Sequence, residues 1–596
     1  MPKVHFITQG CSSNMRESEI MMGLLGNSGH EIAKNENDSE VNVVNICTVK
    51  GDTTALREIR RIKKQHPGRK LIVAGCITES IIPKIKNLDS NISLVNTHNL
   101  GKISAVVENS ANGTVLELLD KKYEQKVNLP SVRKNPVIGI VPILNGCNYF
   151  CTFCSTKLVK GKLFSYPMDA IREDVKSHLK AGCREIWITS NDTGAYMVEQ
   201  GGRPRLVELM EQILSVPVDF KVRIGMMNPG NTMNILDKLI EIYKHPKMFK
   251  FLHIPVQAGN NDVLKAMNRR YSAEDFAKIV EAFRKEIPEI TISTDVIVGF
   301  PSETEAQFND TLKLIEKTRP DIINISKYAL REGTIAAKMK QHPLIELKRR
   351  SKLMMELHRK IACENNKKWI GWQGKIIIDE KGKNDSWIGR NYCYKHIILN
   401  GNFKLGDELD VKINDSTTFD LRGKDMLDIT VATLSSDQIV SGLEKLIVYK
   451  KLIKTDDEPP YIREEQMALF DSVIFSYKKL ESSHGIRKKY SSFDVYTTYN
   501  LVRSQFIRQQ IDESSYALMD MHKVYESLVD GAQPKVKQES LDKFRNALDL
   551  FRKLVQSKKL SQGYGVALPR LEQEYSMIYS YAKPKEAISA AISSGV

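Results

Sequence analysis

Eight consecutive residues carry the strongest chemical signal in the chain: Cys147-Asn148-Tyr149-Phe150-Cys151-Thr152-Phe153-Cys154. Three thiols at this spacing, on a loop directly after a β-rich run, can hold three irons of a 4Fe–4S cluster and leave the fourth iron open to a substrate or cofactor. Two plainer readings stand beside it. A zinc knuckle wants four protein ligands, and no fourth Cys or His lies close in sequence. A ferredoxin-type run uses a different spacing and does not head a barrel.

A second constellation lies nearer the N-terminus. Gly10-Cys11, Ile46-Cys47 and Gly75-Cys76 each follow immediately on a predicted strand. The ends of parallel strands share one edge of their sheet, so thiols far apart in sequence can converge there. The plain alternative is three buried thiols, since Cys is a common small core residue. The strand-then-Cys pattern recurring at three strands favours cluster ligands. Cys183, Cys363 and Cys393 lack such companions and read as structural.

The elements that must position these loops follow from hydrophobic pattern. Runs at 4–8, 41–46, 71–74 and 92–95 read as strands separated by helical stretches, an alternation that predicts a parallel α/β sheet. Residues 111–135, with Asn112-Gly113 and Pro130, read as a connector. Six further βα units, with strands at 138–144, 185–189, 221–226, 251–256, 291–298 and 322–328, predict a partial (β/α)6 barrel. Short strands at 374–379, 387–388, 396–399 and 409–413 predict a small β-barrel that ends near Leu421-Arg422-Gly423. After a linker at Asp456-Asp457-Glu458-Pro459-Pro460, Phe470, Val473, Ile474 and Tyr477, then Leu541, Phe544, Leu548, Phe551 and Val555, recur at helical spacing. The expected whole is an α/β multidomain chain: an N-terminal parallel α/β domain at 1–115, the barrel at 133–365, the β-barrel at 366–430 and an all-α extension at 436–596.

Composition narrows the partners. The chain has 596 residues, 41% apolar and 27% charged, an ordinary globular balance. Nothing approaches the ~18 uninterrupted apolar residues of a membrane helix, and Met1-Pro2-Lys3-Val4-His5-Phe6-Ile7 reads as a strand rather than a secretory signal, so a cytoplasmic protein with no membrane partner is expected. Nine cysteines are too sparse for a disulfide scaffold. The net charge is +16, of which residues 436–596 hold only +3, so attraction to a polyanion, with nucleic acid leading, rests on the first 435 residues. Arg57, Arg60, Arg61, Lys63 and Lys64 fall on one predicted helix, and Lys367, Lys368, Lys375, Arg390, Lys395 and His396 scatter over the small barrel. Singly, each is most simply a solvated residue. As a set, Arg57, Arg61, Lys64, Lys375, Arg390 and Lys395 are candidate RNA contacts that would position phosphates without reading sequence. Trp387, Tyr392 and Tyr394 could stack on bases or fill the barrel core.

The C-x3-C-x2-C spacing with an aromatic before its last Cys resembles the radical S-adenosylmethionine superfamily, and the likeness runs over about residues 137–345. In that superfamily the open iron chelates S-adenosylmethionine, which the reduced cluster cleaves to a carbon radical. The resemblance implies cofactor contacts at Phe153 in the loop, at Ser190, Asp192 and Gly194 after the second strand, and at Asp295, Gly299 and Glu303 on and after the fifth.

Gly10-Cys11-Ser12-Ser13-Asn14 with Ser18-Glu19, Asn45-Ile46-Cys47-Thr48-Val49, Val73-Ala74-Gly75-Cys76, the cysteine loop and a TRAM-like barrel together resemble the methylthiotransferase family over some 430 residues. Glu185-Ile186-Trp187-Ile188-Thr189-Ser190, Asn228-Pro229 and Phe251-Leu252-His253-Ile254-Pro255-Val256-Gln257 look like its archaeal and eukaryotic branch, which acts on N6-threonylcarbamoyladenosine beside the tRNA anticodon. One departure is Tyr328-Ala329-Leu330-Arg331-Glu332-Gly333-Thr334, which lacks a proline that relatives often carry before the Gly-Thr.

The resemblance implies two 4Fe–4S clusters, one on Cys147, Cys151 and Cys154 and an auxiliary one on Cys11, Cys47 and Cys76, with S-adenosylmethionine, a tRNA substrate, an electron donor such as ferredoxin or flavodoxin, and a sulfur source. Its implied reaction is methylthiolation at carbon 2 of the modified adenosine. Rival readings are methylthiolation of an isopentenyl-type adenosine or of a ribosomal-protein aspartate, and a non-catalytic RNA-binding protein with structural metal sites.

Overall fold

The structure, a computed structural model, describes residues 1–425 throughout and, beyond them, 436–455, 462–480, 538–556 and shorter stretches between 495 and 575. It divides into a unit of residues 1–426 and a unit of residues 427–596.

The first unit opens with β1 (Val4–Thr8), β2 (Val41–Ile46), β3 (Lys70–Gly75), β4 (Ser93–Asn96) and β5 (Glu117–Leu118), a parallel sheet in that order. Val4 pairs with Val41 and Val41 with Lys70, so the first three strands start level and end level. This register sets Cys11, Cys47 and Cys76 along one edge. β2 is buried at every position, as a strand covered on both faces should be. Met21 and Leu25 of the helix Ser12–Asn27 pack on one face with Val106 of Ile103–Ala111. Ile59 and Ile62 of Asp52–Gln65 pack on the other. The latter helix is apolar at Ala55, Leu56, Ile59 and Ile62, which turns Arg57, Arg60 and Lys64 to solvent. The sequence pattern reads a connector where β5 stands. Two residues are too few to show the alternation that marks a strand.

The next domain comprises β6 (Ile138–Pro142), β7 (Leu144–Asn145), β8 (Phe164–Ser165), β9 (Glu185–Thr189), β10 (Lys221–Ile224), β11 (Phe251–His253), β12 (Thr291–Val298) and β13 (Ile322–Lys327). The parallel sheets β10-β9-β6 and β11-β12-β13 adjoin through a bridge between Val222 and Met248. Six strands thus curve in chain order with β6 and β13 at opposite ends, a partial barrel. Ile186, Ile188, Val222, Leu252 and Ile292 pack outward against Phe276, Phe283 and Phe308 of the surrounding helices. Capping boxes start two of these helices, Ser272 with Asp275 and Thr304 with Gln307. The first strand is expected to run to 144. It breaks after Pro142, and β7 turns away to pair antiparallel with β8, bracketing the cysteine loop.

After the helix Leu344–Lys367 come β14 (Gln373–Lys381), β15 (Ser386–Arg390), β16 (His396–Asn400), β17 (Glu408–Ser416) and β18 (Leu421–Asp425). They form a closed barrel, β14-β15-β16-β18-β17, around Ile376, Ile378, Ile397, Leu399 and Val411. The sequence pattern gives four of these strands and places β18 at the barrel's end. β18 is the closing strand, parallel to β16 and antiparallel to β17. This barrel plugs the amino-terminal end of the partial one. The Lys250 N–H donates to the Tyr392 carbonyl at 2.7 Å. The Tyr394 ring lies 4.8 Å from Phe249 and 5.1 Å from Phe251, with the Arg223 guanidinium 5.0 Å from its centre. Tyr394 is therefore core, not a base-stacking surface.

In the second unit the helices Ser436–Thr455 and Glu464–Leu480 pack together through Leu443, Leu446, Phe470, Val473 and Tyr477. Leu541, Phe544 and Leu548 of Gln538–Gln556 form another apolar cluster with Met521. The side chains of Phe551 and Val555, and the expected linker at 456–460, lie outside the described residues. Among the described residues no helix is long and apolar enough to cross a membrane.

His178 gives a pH test of this packing. It is 3% exposed, its ring fills the space left by Gly139, and burial pushes its pKa down to about 3 from 6.5. The folded chain keeps the ring neutral while the unfolded chain protonates it below about 6.5. Its stabilising contribution is full above that pH and is lost as pH falls from 6.5 towards 3. The thermal midpoint should fall over this window, and less steeply in His178→Leu.

Candidate functional site

The amino-terminal thiols meet because glycine permits it. Gly10 has φ +119° and Gly75 φ +94°; a Cβ would stand 2.5 Å from the Cys47 Cβ at the first and 2.0 Å from Asn45 Oδ1 at the second. No L side chain tolerates that combination of conformation and space. Two buried amides hold the set. Asn14 Nδ2 donates to Asn45 Oδ1 at 3.1 Å and to the Ile46 carbonyl at 2.9 Å, and stands 4.0 Å from the Cys76 sulfur. Asn14 Oδ1 accepts from the Cys11 thiol at 3.4 Å. Asn45 Nδ2 donates to the Asn14 carbonyl and to Ser18 Oγ at 2.8 and 2.9 Å. The neighbouring Cys47 brings Cys11 down to about 6, and Cys11 together with burial pushes Cys47 up. Burial raises Cys76.

The Cys147–Cys154 loop is braced differently. Cys151 Sγ accepts from Arg269 Nη1 at 3.0 Å, while Arg269 Nε bonds Tyr271 Oη at 2.9 Å and Tyr271 donates to the Pro255 carbonyl at 3.0 Å. Burial raises the Cys151 pKa, and the guanidinium opposes it by favouring the thiolate. Burial pushes Cys147 up to about 12. The Lys157 amine bonds the Cys147 carbonyl and lies 4.4 Å from the centre of the Phe150 ring. Arg269 is a site residue that motif reading passes over. Its signal was the Arg269-Arg270-Tyr271 run, a cation pair against an aromatic in a loop.

The two loops face each other. Ser12, beside Cys11, bonds Thr189 at the end of β9 at 2.6 Å; Thr48, beside Cys47, bonds Ser155, beside Cys154, also at 2.6 Å. Arg331 adds a 2.8 Å bond to the Val49 carbonyl. All six thiols are free. Each set offers three soft donors, with the Arg269 guanidinium against Cys151 and the Lys160 amine held by Thr97, whose N–H bonds the residue before Cys76, which suits a thiolate-bound cluster. Among the described residues no three His, Cys, Asp or Glu side chains are gathered closely enough to hold a single metal ion.

Three family models match the chain: the radical SAM superfamily over residues 141–315, an uncharacterized protein family, UPF0004, over 3–96, and the TRAM domain over 374–424. A probable threonylcarbamoyladenosine tRNA methylthiotransferase of Pyrococcus horikoshii is 40% identical over 404 residues, 67% of this chain and 94% of its own length. A similarly named protein of Archaeoglobus fulgidus is 39% identical over 417 residues, 69% and 96% of the two chains. The threonylcarbamoyladenosine tRNA methylthiotransferase of Homo sapiens is 32% identical over 458 residues, 74% and 78%. The chain belongs to the threonylcarbamoyladenosine tRNA methylthiotransferase family. As a member it is a transferase, and its radical SAM domain implies S-adenosylmethionine and a 4Fe–4S cluster.

Against that family background, the residues expected to touch S-adenosylmethionine divide in two. Asp192 is buried and its carboxylate accepts from the Asn228 N–H at 2.9 Å and from Asn231 at 2.7 Å; a Cβ on Gly194 would stand 3.3 Å from it. Ser190 Oγ accepts from the Asp192 N–H at 3.2 Å. Asp295 accepts from Asn324 at 2.7 Å and pairs with His253 at 3.0 Å. Phe153 packs against the cluster of Val263, Leu264, Met267 and Phe300. Glu303 is spent internally: it accepts from the Gly299 N–H at 3.0 Å and from Arg350 at 2.7 Å, so it shapes the turn after β12.

The basic residues need correction. Arg390 is 6% exposed and pairs with Asp379 at 2.9 Å, and Lys395 is 7% exposed and pairs with Asp321 at 2.8 Å. Both serve the docking of the small barrel and leave the set of candidate phosphate contacts. Arg61 is engaged by Glu36 and Glu58. Arg57, Lys64 and Lys375 are exposed.

Gly75→Ala tests the amino-terminal geometry. The left-handed backbone costs an L residue about 1–2 kcal/mol, and Asn45 must also move. If Cys11, Cys47 and Cys76 hold a cluster, the variant should bind about half the iron and sulfide of wild type after anaerobic reconstitution, and an equal amount if they do not.

Proposed function

We propose that this chain inserts a methylthio group at carbon 2 of N6-threonylcarbamoyladenosine beside the anticodon of tRNA, using a 4Fe–4S cluster on Cys147, Cys151 and Cys154 and a second one on Cys11, Cys47 and Cys76. The observation that carries the reading is the pair of hydrogen bonds, Ser12 to Thr189 and Thr48 to Ser155, that turn both cysteine sets toward one space. When bound, the clusters and S-adenosylmethionine supply the carbon radical that an unactivated aromatic C–H requires, and the sulfur that replaces it.

The chain's own groups orient and shield. Arg269 holds Cys151 toward its thiolate and fixes its rotamer through Tyr271. Asn14 and Asn45 keep the amino-terminal thiols convergent without offering a competing acid. The Asp295–His253–Asn324 group sets hydrogen-bonding capacity on the middle of the last two barrel strands and the end of the strand Phe251–His253, suited to the polar edge of a modified base or to the ribose of the cofactor. Arg57, Lys64 and Lys375 remain as phosphate contacts. An electron donor of the ferredoxin or flavodoxin kind, a sulfur source and a cytoplasmic setting belong to the same reading.

Reconstitution of wild type, the Cys147/Cys151/Cys154→Ala variant and the Cys11/Cys47/Cys76→Ala variant should give two clusters, one and one, resolved by EPR of the reduced proteins. Wild type should convert N6-threonylcarbamoyladenosine in tRNA to its 2-methylthio form, read by mass spectrometry of digested nucleosides. Neither variant should do so. Methylthiolation of an isopentenyl-type adenosine or of a protein aspartate instead would overturn the substrate, and tightly bound zinc without iron would overturn the chemistry.

A further inference from the structure

Behind the amino-terminal cysteines lies a buried charge cluster that the reaction above does not use. Lys126, from the segment leading into the barrel, and Lys160, the last residue of the helix Thr156–Lys160, reach the same oxygen of Glu17, at 2.7 and 2.5 Å. Thr97 Oγ1 accepts from both amines at 2.7 and 2.6 Å and donates to that oxygen at 2.5 Å. The side chains of Glu17 and the two lysines are only 2–5% exposed. The other Glu17 oxygen has no hydrogen-bond partner among the described residues.

Two ammonium groups on one carboxylate leave a positive charge in surplus, and a buried surplus is unfavourable unless an anion balances it. Burial works against the charge of both lysines. It brings Lys126 down to about 8, while Glu17 and Cys76 outweigh it at Lys160 and hold that amine above its ordinary range. Both are therefore cationic at neutral pH. Lys126 also acts on Glu124, a half-buried carboxylate on its own segment. His98 is kept neutral by burial and bonds the Lys122 and Val159 carbonyls. Thr97, which accepts from both amines, also donates its N–H to the Gly75 carbonyl at 3.0 Å, so the ammonium pair lies directly behind the strand end that carries Cys76, and the groups left to balance Lys160 are those held at that edge.

We propose that Lys160 is a positioning residue for the Cys11, Cys47 and Cys76 set, its surplus buried charge balancing the net negative charge of a thiolate-bound iron–sulfur cluster there and raising the cluster's reduction potential. This rests on the two-cluster reading. Three thiolates around a dipositive 4Fe–4S core sum to one negative charge, the counterpart of the surplus. Reduction adds a second negative charge, so a fixed cation nearby stabilises the reduced state more than the oxidised one. Because Lys160 follows the Cys147–Cys154 loop in the chain and Glu17 follows Cys11, the same contact ties the charge of one site to the placement of the other.

The test is an EPR-monitored redox titration of the full chain carrying Cys147/Cys151/Cys154→Ala, so that only the amino-terminal cluster reports. Lys160→Gln keeps a donor for Glu17 and Thr97 but removes the charge. It should shift the oxidised-to-reduced ratio at fixed potential roughly tenfold toward oxidised, about 59 mV for a one-electron couple. Lys160→Arg should hold the potential of the parent. Lys126→Gln, which removes the other cation from the same oxygen, should move the potential in the same direction as Lys160→Gln and keeps the test open if the latter misfolds. Equal potentials in the parent and the Gln variants would overturn the role of Lys160 and leave the two-cluster reading intact. Equal loss of iron in the Gln and Arg variants, with no change of potential in the cluster that remains, would make the contact structural and also overturn it. Failure of the parent to assemble any cluster would remove both.

Discussion

Ser12 to Thr189 and Thr48 to Ser155 are short hydrogen bonds between neutral hydroxyls, each lying within a residue or two of a cysteine or a strand end. They matter because of where parallel sheets put their loops. Every parallel strand delivers its following loop to the same edge, so two such sheets each present one chemically usable edge and one inert one. Joining the usable edges brings the two cysteine loops against each other. The level ends of β1, β2 and β3 are then a functional requirement, since a slip of one residue in either pairing would carry a cysteine off the edge and reverse the faces of the strand.

The seams between these domains carry buried charge beside apolar contacts such as those of Met15, Ile377 and Leu405 with Ile138 and Ile140. Arg16 of the first helix reaches Asp174 of the barrel at 3.1 Å with side chains 1% and 4% exposed. Glu17, the next residue, takes Lys126 and Lys160. At the other end of the barrel, burial beside Asp379 raises Glu185 to about 8, and Arg390, paired with Asp379 at 2.9 Å, opposes the rise. Such groups contribute little net stability when paired and cost several kcal/mol when one partner is lost. That asymmetry suits an orienting role. An apolar seam can slide, whereas a displaced guanidinium or ammonium is left unpaired, so the relative placement of the two cysteine loops is held more tightly than contact area alone would hold it.

Much of the site was legible because its grammar is local. A glycine or apolar residue, then Cys, at the end of a strand needs no knowledge of the partner strand, and the limits of β1, β2, β9 and β12 follow from β-branched runs closed by Gly, Cys or polar residues. What escaped was non-local. Arg269 lies 118 residues from the sulfur it contacts, and the Arg269-Arg270-Tyr271 run around it marks a cation beside an aromatic without naming a cysteine as its partner. Arg390 and Lys395 failed in the opposite sense. On a short barrel a basic residue defaults to solvent; strand pairing within the barrel brings Asp379 to Arg390, and docking against the other barrel brings Asp321 to Lys395.

That docking also bears on how a large substrate approaches. The small barrel closes the amino-terminal end of the partial one with Tyr394, Arg390 and the Lys250–Tyr392 backbone bond, so its inward face is spent on protein. Lys375 lies on its exposed surface, while Arg57 and Lys64 lie on the helix that follows Cys47. An RNA touching both must span from the plugged end of the barrel to the cysteine edge, which favours a folded stem with its loop directed at the cavity over a short single strand. On that reading Arg57, Lys64 and Lys375 would meet phosphates away from the chemistry, while beside the thiols the neutral side chains of Asn14, Thr48 and Ser155 hold and join the loops and Arg269 alone supplies the charge at Cys151.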